Sequence, residues 1–113
     1  MSDCLFCKIA AGEIPSKKIY EDDKVLAFYD IDPKAPVHFL VIPKEHIQSA
    51  GHIDNKNCNI VGHIFKVISK IAKELNLSDG FRVVSNCGLS AGQTVFHLHF
   101  HVLSGRDMTW PPG

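Results

Sequence analysis

Val95-Phe96-His97-Leu98-His99-Phe100-His101-Val102 sets three histidines in strict alternation with large apolar residues. A strand through this stretch sends Phe96, Leu98, Phe100 and Val102 toward a core and puts every imidazole on the opposite face. At ~3.4 Å per residue, His97 and His99 stand ~7 Å apart along the backbone, and His97 and His101 ~14 Å. A neighbouring pair could chelate zinc at about 2.0–2.1 Å per nitrogen, whereas all three could share one ion only by strong distortion of the strand. The spacing therefore points to a division of labour: one nucleophile or base, one helper, one anchor. The bland alternative is a strand that simply shows its solvent face. Three histidines in register are poor surface filler, so chemistry is expected on this face.

Working upstream, Asn86-Cys87-Gly88-Leu89-Ser90-Ala91-Gly92-Gln93-Thr94 offers backbone N–H groups, an amide and a hydroxyl, the donors that cradle a phosphate. A Gly-bearing loop gains weight beside a histidine face, because phosphoryl chemistry needs donors around the non-bridging oxygens as well as a nucleophile. Before it, Phe81–Ser85 reads as a strand after the Ser78-Asp79-Gly80 turn. Ile60, Ile64, Val67, Ile68, Ile71 and Leu75 recur at helical spacing and predict one long helix from about Asn57 to Leu75, with Asp54 as a candidate cap. Earlier still, Lys24–Ile31 and Val37–Ile42 read as strands on either side of a Pro33–Pro36 loop, the second closed by Pro43. Its alternation puts His38, Leu40 and Ile42 on one side. Strands, one helix, then strands again predict an α+β domain with an antiparallel sheet and the helix on one face.

The bulk numbers suit that picture. A chain of 113 residues is expected to be one domain, residues 1–113, and at 45% hydrophobic and 21% charged it has the composition of a folding globular protein. A formal charge of zero disfavours binding to a nucleic-acid polymer, although a single nucleotide needs only local donors. Met1-Ser2-Asp3-Cys4 lacks the basic start of a signal peptide, and no apolar run nears the ~20 residues of a membrane span. A cytoplasmic location, with the nucleus also open, and no membrane partner are expected. Four cysteines in a reducing compartment argue against a disulfide framework and leave thiols for metal or chemistry.

Gly92-Gln93-Thr94-Val95 running into His97-Leu98-His99-Phe100-His101-Val102-Leu103, with Trp110-Pro111-Pro112-Gly113 at the end, resembles the histidine triad (HIT) family, specifically its Hint branch. The resemblance extends over Phe6, Glu13-Ile14-Pro15, Glu21-Asp22-Asp23, Ala27–Ile31 and Ala35–Lys44, hence nearly the whole chain. It implies a HIT-like fold: a five-stranded antiparallel sheet with one long helix, two sheets joining across a homodimer. It implies a hydrolase of purine nucleoside phosphoramidates or acyl-adenylates, of the adenosine 5′-phosphoramidase type. In that chemistry the middle histidine, His99, attacks the α-phosphate and forms a nucleotidyl-histidine that water hydrolyses to AMP. His101 would bond the phosphate or departing group and His38 would assist proton handling. A neutral imidazole near its ordinary pKa of ~6.5 suits a nucleophile at physiological pH. By the same resemblance Asp30 would bond the ribose hydroxyls, with Ile31 beside it. Phe6, Ile9, Ile14 and Phe28 would enclose the purine, although for Phe28 and Ile14 a plain core role fits as well. Asn86, Gly92, Gln93 and Thr94 would hold the ribose and phosphate, and Trp110 would reach the partner subunit's site.

Cys4-Leu5-Phe6-Cys7 is a C-x-x-C pair of the kind that zinc-bearing HIT proteins carry, and the resemblance completes the set with His46 and His97. A Cys₂His₂ set closes a tetrahedron, so zinc there would be structural, with no organic cofactor needed. Free thiols or a redox pair are the alternative, but no thioredoxin-like βαβ context follows. Cys58 and Cys87 have no mate at ligand spacing and read as structural thiols, and His52 and His63 as bystanders. A competing reading is a nucleotide- and zinc-binding regulatory protein with little catalysis of its own. A third, a dinucleoside polyphosphate hydrolase, belongs to another HIT branch and fits the Trp110–Gly113 end less well.

Overall fold

The computed structural model describes residues 3–113. Met1 and Ser2, which entered the reading of the N-terminus, lie outside them. A short helix α1 (Leu5–Ala10) precedes the strands β1 (Lys18–Glu21), β2 (Val25–Tyr29) and β3 (Val37–Pro43). The long helix α2 (Asn59–Glu74) follows, then β4 (Phe81–Val84) and β5 (Phe100–Ser104). All five strands form one antiparallel sheet in the order β1-β2-β3-β5-β4. The expected α+β architecture is what the chain adopts. No helix among the described residues is long and apolar enough to cross a membrane.

The sheet is apolar on both faces, and the two faces do different work. On one side Val25, Ala27, Phe39, Val41, Phe100 and Val102 meet Ile64, Val67, Ile68 and Ile71 of α2, the residues that helical spacing had singled out. Burying such side chains is worth about 1.5–3 kcal/mol each, which makes this layer the main source of stability. On the other side Leu26, Phe28, Leu40 and Ile42 are covered by Phe6 and Ile9 of α1. His101 pairs with Leu40 across the ladder, so β3 and β5 deliver the histidines to this second, thinner face.

Asp54 does not cap α2 as expected. Its carboxylate accepts from the N–H groups of Lys56 and Asn57, and its carbonyl from Cys58, so it organises the turn ahead of a helix that begins at Asn59 without a side-chain cap. The helix stops at Asn76, whose φ of +58° is the left-handed conformation that lets Leu77 N–H close back on the Ala72 carbonyl. Pro43 belongs to β3 instead of closing it. The edge strand β1 and the helix α1 had no clear signal in the sequence.

Asp22 ties the β1–β2 turn to α2. It accepts from the N–H groups of Lys24 and Val25 at 2.8 and 2.9 Å, from the Tyr20 hydroxyl at 2.9 Å and from His63 Nε2 at 2.7 Å. Burial alone would push its carboxyl up, but these donors outweigh it and hold the group well below the usual carboxylate range. His63 is therefore a structural partner and not a bystander.

Candidate functional site

The final strand begins later than alternation suggests. Regular pairing starts at Phe100, and Phe96 is exposed instead of core-facing, while Leu98, Phe100 and Val102 are buried as expected. His97 to His99 form an irregular approach in which Leu98 N–H bonds the Ile47 carbonyl at 2.6 Å. The histidine face is also not a solvent face: His38, His97 and His99 are all buried. Phe6 lies edge-on to both His97 and His99, at ring-centre distances of 6.1 and 5.0 Å, and the His99 and His101 rings are 5.0 Å apart.

Hydrogen bonds assign a proton to each ring. His99 Nδ1 lies 2.7 Å from the His97 carbonyl, which can only accept. His99 therefore carries its proton on Nδ1 and keeps a free lone pair on Nε2. The Lys34 N–H donates to His38 Nδ1 at 3.0 Å, so His38 is protonated on Nε2. That N–H points at His101 Nδ1, 2.9 Å away, with a carboxylate oxygen of Asp30 at 3.4 Å. His101 then accepts on Nδ1 and carries its own proton on Nε2. Asp30, His38 and His101 stand close enough together to suggest a metal site, but the lone pair His38 would need on Nε2 is occupied by this proton. Burial pushes the pKa values of His38, His99 and His101 down, and the neighbouring His99 and His38 help bring His101 to about 4. All three rings are neutral at pH 7.

A separate cluster lies at the other end of the same segment. His97 donates from Nε2 to the Pro43 carbonyl at 2.7 Å, which leaves its Nδ1 lone pair facing Cys4 Sγ at 3.3 Å, Cys7 Sγ at 3.5 Å and His46 Nδ1 at 3.2 Å. Cys7 Sγ is 3.3 Å from His46 Nδ1. Cys4 and Cys7 are brought to one side by the first turn of α1, where Cys4 Sγ accepts from the Cys7 N–H. Burial, followed by the His46 and His99 charges, lowers the His97 pKa to about 4, so the ring is a neutral donor. Burial and the adjacent Cys4 raise that of the Cys7 thiol. A tetrahedral cation with ordinary bonds to sulfur and nitrogen needs ligand edges of about 3.3–3.8 Å. The four edges given above, at 3.2–3.5 Å, lie at or just below the short end of that range, all four ligand atoms lie within 4.8 Å of one another, and three of these edges converge on the buried His97 Nδ1, so the donor set fits a metal.

The expected nucleotide residues divide. Asp30, Ile31 and His38 line one open cleft of about 740 Å³ together with Pro15, Ser16, Lys17, Tyr29, Pro33 and Pro36. Ile31 is fully exposed there. Phe6, Ile9 and Phe28 are core residues of the second cluster, with Ile14 packed against it, so all four expected base walls also have a packing role, the one given as the alternative for Phe28 and Ile14. Asn86, Gly92 and Thr94 sit on the loop before the histidines, which contains a short 3₁₀ turn at Leu89–Ala91. The Gln93 side chain is buried, accepting from Gly88 N–H and donating to the Gln48 and Val95 carbonyls. That amide braces the loop, with both of its N–H groups already bonded within the chain. Trp110 is exposed, with the Arg82 guanidinium 5.8 Å over its ring. Cys58 and Cys87 are exposed, not buried, and His52 bonds the Ser49 hydroxyl. Three participants had no sequence signal, being backbone groups or ordinary loop residues: the Lys34 N–H, the Pro43 carbonyl and Ser16, whose buried hydroxyl has no partner among the described residues.

The family model for the HIT domain matches residues 11–108. A 14 kDa zinc-binding protein of Zea mays is 46% identical over 114 residues, covering 99% of this chain and 89% of that protein. Among solved structures, a histidine triad protein from Clostridium difficile is 55% identical with a TM-score of 0.94, covering 96% of each chain. A HIT family hydrolase from Legionella pneumophila is 46% identical with a TM-score of 0.96, covering 98% of this chain and all of that one.

Proposed function

The chain belongs to the HIT domain family, and from that premise we propose that it hydrolyses purine nucleoside phosphoramidates or acyl-adenylates to AMP through a nucleotidyl-histidine on His99. The observation that carries this reading is the 2.7 Å bond from His99 Nδ1 to the His97 carbonyl, which leaves Nε2 as a neutral nucleophile. Attack by that lone pair on the α-phosphorus forms a P–N bond and breaks the bond to the amine nitrogen or acyl oxygen. His101, with its Nε2–H free, is the donor to the phosphate or the departing group, and His38 and Asp30 behind it keep that proton in place. Water then attacks the same phosphorus, the electron pair of the P–N bond returns to His99, and the proton released by water replaces the one the leaving group took.

Asp30 supplies an acceptor for the ribose, and exposed Ile31 an apolar surface for the base. Zinc on Cys4, Cys7, His46 and His97 would tie α1 to the histidine segment as a structural ion. A homodimer is part of the reading: Phe65 of α2 and Phe81 of the edge strand β4 are exposed, and Trp110 projects from the C-terminal segment. The test is release of amine from adenosine 5′-phosphoramidate by the purified protein and by His99→Ala. Turnover by the first and none by the second supports the hydrolase. AMP binding without turnover by either transfers the case to the regulatory binding protein.

A further inference from the structure

The loop between β2 and β3 is clasped by the turn after β5. Gly105, at φ +95°, lies where an added Cβ would come within 2.8 Å of the Pro36 Cβ, so only a residue without a side chain lets the two segments meet this closely. The next residue, Arg106, donates from Nε to the Lys34 carbonyl at 3.1 Å and from Nη1 to the Asp107 carbonyl at 3.2 Å. Lys34 is thus held by its carbonyl while its N–H is spent on His38 Nδ1.

We propose that Arg106 and Gly105 are positioning residues that fix the backbone of Lys34 through its carbonyl, hold its N–H against His38, and thereby decide which nitrogen of His38 and of His101 carries the proton. Without the Lys34 donor, His38 can hold its proton on Nδ1. Its Nε2 lone pair would then face Asp30 at 3.4 Å and His101 Nδ1 at 2.9 Å. His101 must answer by moving its proton to Nδ1, and its Nε2 becomes a lone pair. A ring that had offered a donor to a phosphate oxygen would now repel it. The Lys34 side chain, exposed and paired with Asp32, has no part in this.

The consequence for turnover rests on the hydrolase reading, but the tautomers can be read without substrate, by two-bond ¹H–¹⁵N correlations of the imidazoles at pH 7.5 in the full-length protein. Wild type and Lys34→Ala, which keeps the N–H, are expected to show His38 and His101 protonated on Nε2. Arg106→Ala and Lys34→Pro are expected to show both tautomers, with kcat down about tenfold and KM little changed in Arg106→Ala. Arg106→Lys, which keeps a donor, restores the wild-type pattern. Nε2-only protonation in either Arg106→Ala or a folded Lys34→Pro overturns the proposal, as does Nδ1 protonation of His38 in the wild type. If Lys34→Pro fails to fold, Arg106→Ala decides alone. Tautomers that shift as expected in a protein without phosphoramidate turnover uphold the positioning role and overturn only the hydrolase reading.

Discussion

His97 and His99 are two residues apart, buried to similar degree and neutral, yet their chemistry is opposite. His97 spends Nε2 on the Pro43 carbonyl and turns Nδ1 to two thiols and a second imidazole. His99 spends Nδ1 on the carbonyl of His97 and keeps Nε2 bare. One backbone carbonyl in each case selects the nitrogen, and the selected nitrogen selects the task. Residue type and spacing are shared; the difference comes from which acceptor the fold supplies.

The largest expected effect breaks the His99 side of this comparison. His99→Ala should lower kcat against adenosine 5′-phosphoramidate by about 10³-fold or more, because the nucleophile has no substitute, whereas His101→Asn should cost about 10–100-fold, since an amide still donates. Equal losses would mean that the two rings do not have separate roles. The His97 side is broken by Cys4→Ser or by chelation. Metal analysis should then show loss of zinc, and thermal unfolding a fall of roughly 10 °C, the equivalent of about 2 kcal/mol in a domain of this size. Retained metal in Cys4→Ser would remove Cys4 from the ligand set.

Smaller effects sharpen the contrast. His101 has a folded pKa of about 4, lowered by burial and by His99 and His38, with Asp30 opposing. An unfolded histidine takes its proton near pH 6.5. The stability contributed by keeping this ring neutral is therefore complete above about pH 6.5 and lost as pH falls toward 4. Urea midpoints of His101→Asn should show a shallower fall over that window than wild type; parallel curves would contradict it. Smallest of all, His63→Ala removes one of four donors to Asp22 and should cost about 1 kcal/mol in urea unfolding, with no change in activity. The remaining donors still hold the Asp22 carboxyl low, so its contribution is present above about pH 4 and lost only in stronger acid.

Most of the fold was legible because burial imposes a period. Ile64, Val67, Ile68 and Ile71 at helical spacing, and Phe39 and Val41 alternating with Leu40 and Ile42, could have no other arrangement that hides them. The edge strand Lys18–Glu21 was not legible: four residues, two of them charged, carry too short a pattern. Helix α1 was missed because six residues are too few to signal a helix, and it is held by Cys4 at its start and by Phe6 and Ile9 against the sheet. At the site, the alternating histidines and the Cys4–Cys7 pair stood out as residue types, whereas His46 and His97 joined the pair only through the family resemblance; the fold brings those four side chains together. The late start of β5 and the assignment of each ring nitrogen depended on Ile47, Pro43 and Lys34, which act through backbone groups that every residue type shares. The brace role of Gln93 was hidden for a related reason, since its amide suits a phosphate and a loop brace equally well.

The most direct test of the central claim is to mix the protein with adenosine 5′-phosphoramidate, quench within a turnover under conditions that preserve phosphoramidate bonds, and map the adenylylated peptide by mass spectrometry. Adenylyl on His99, absent from His99→Ala, is the predicted result. Turnover with the label on another residue, or His99→Ala turning over as fast as the wild type, would contradict it.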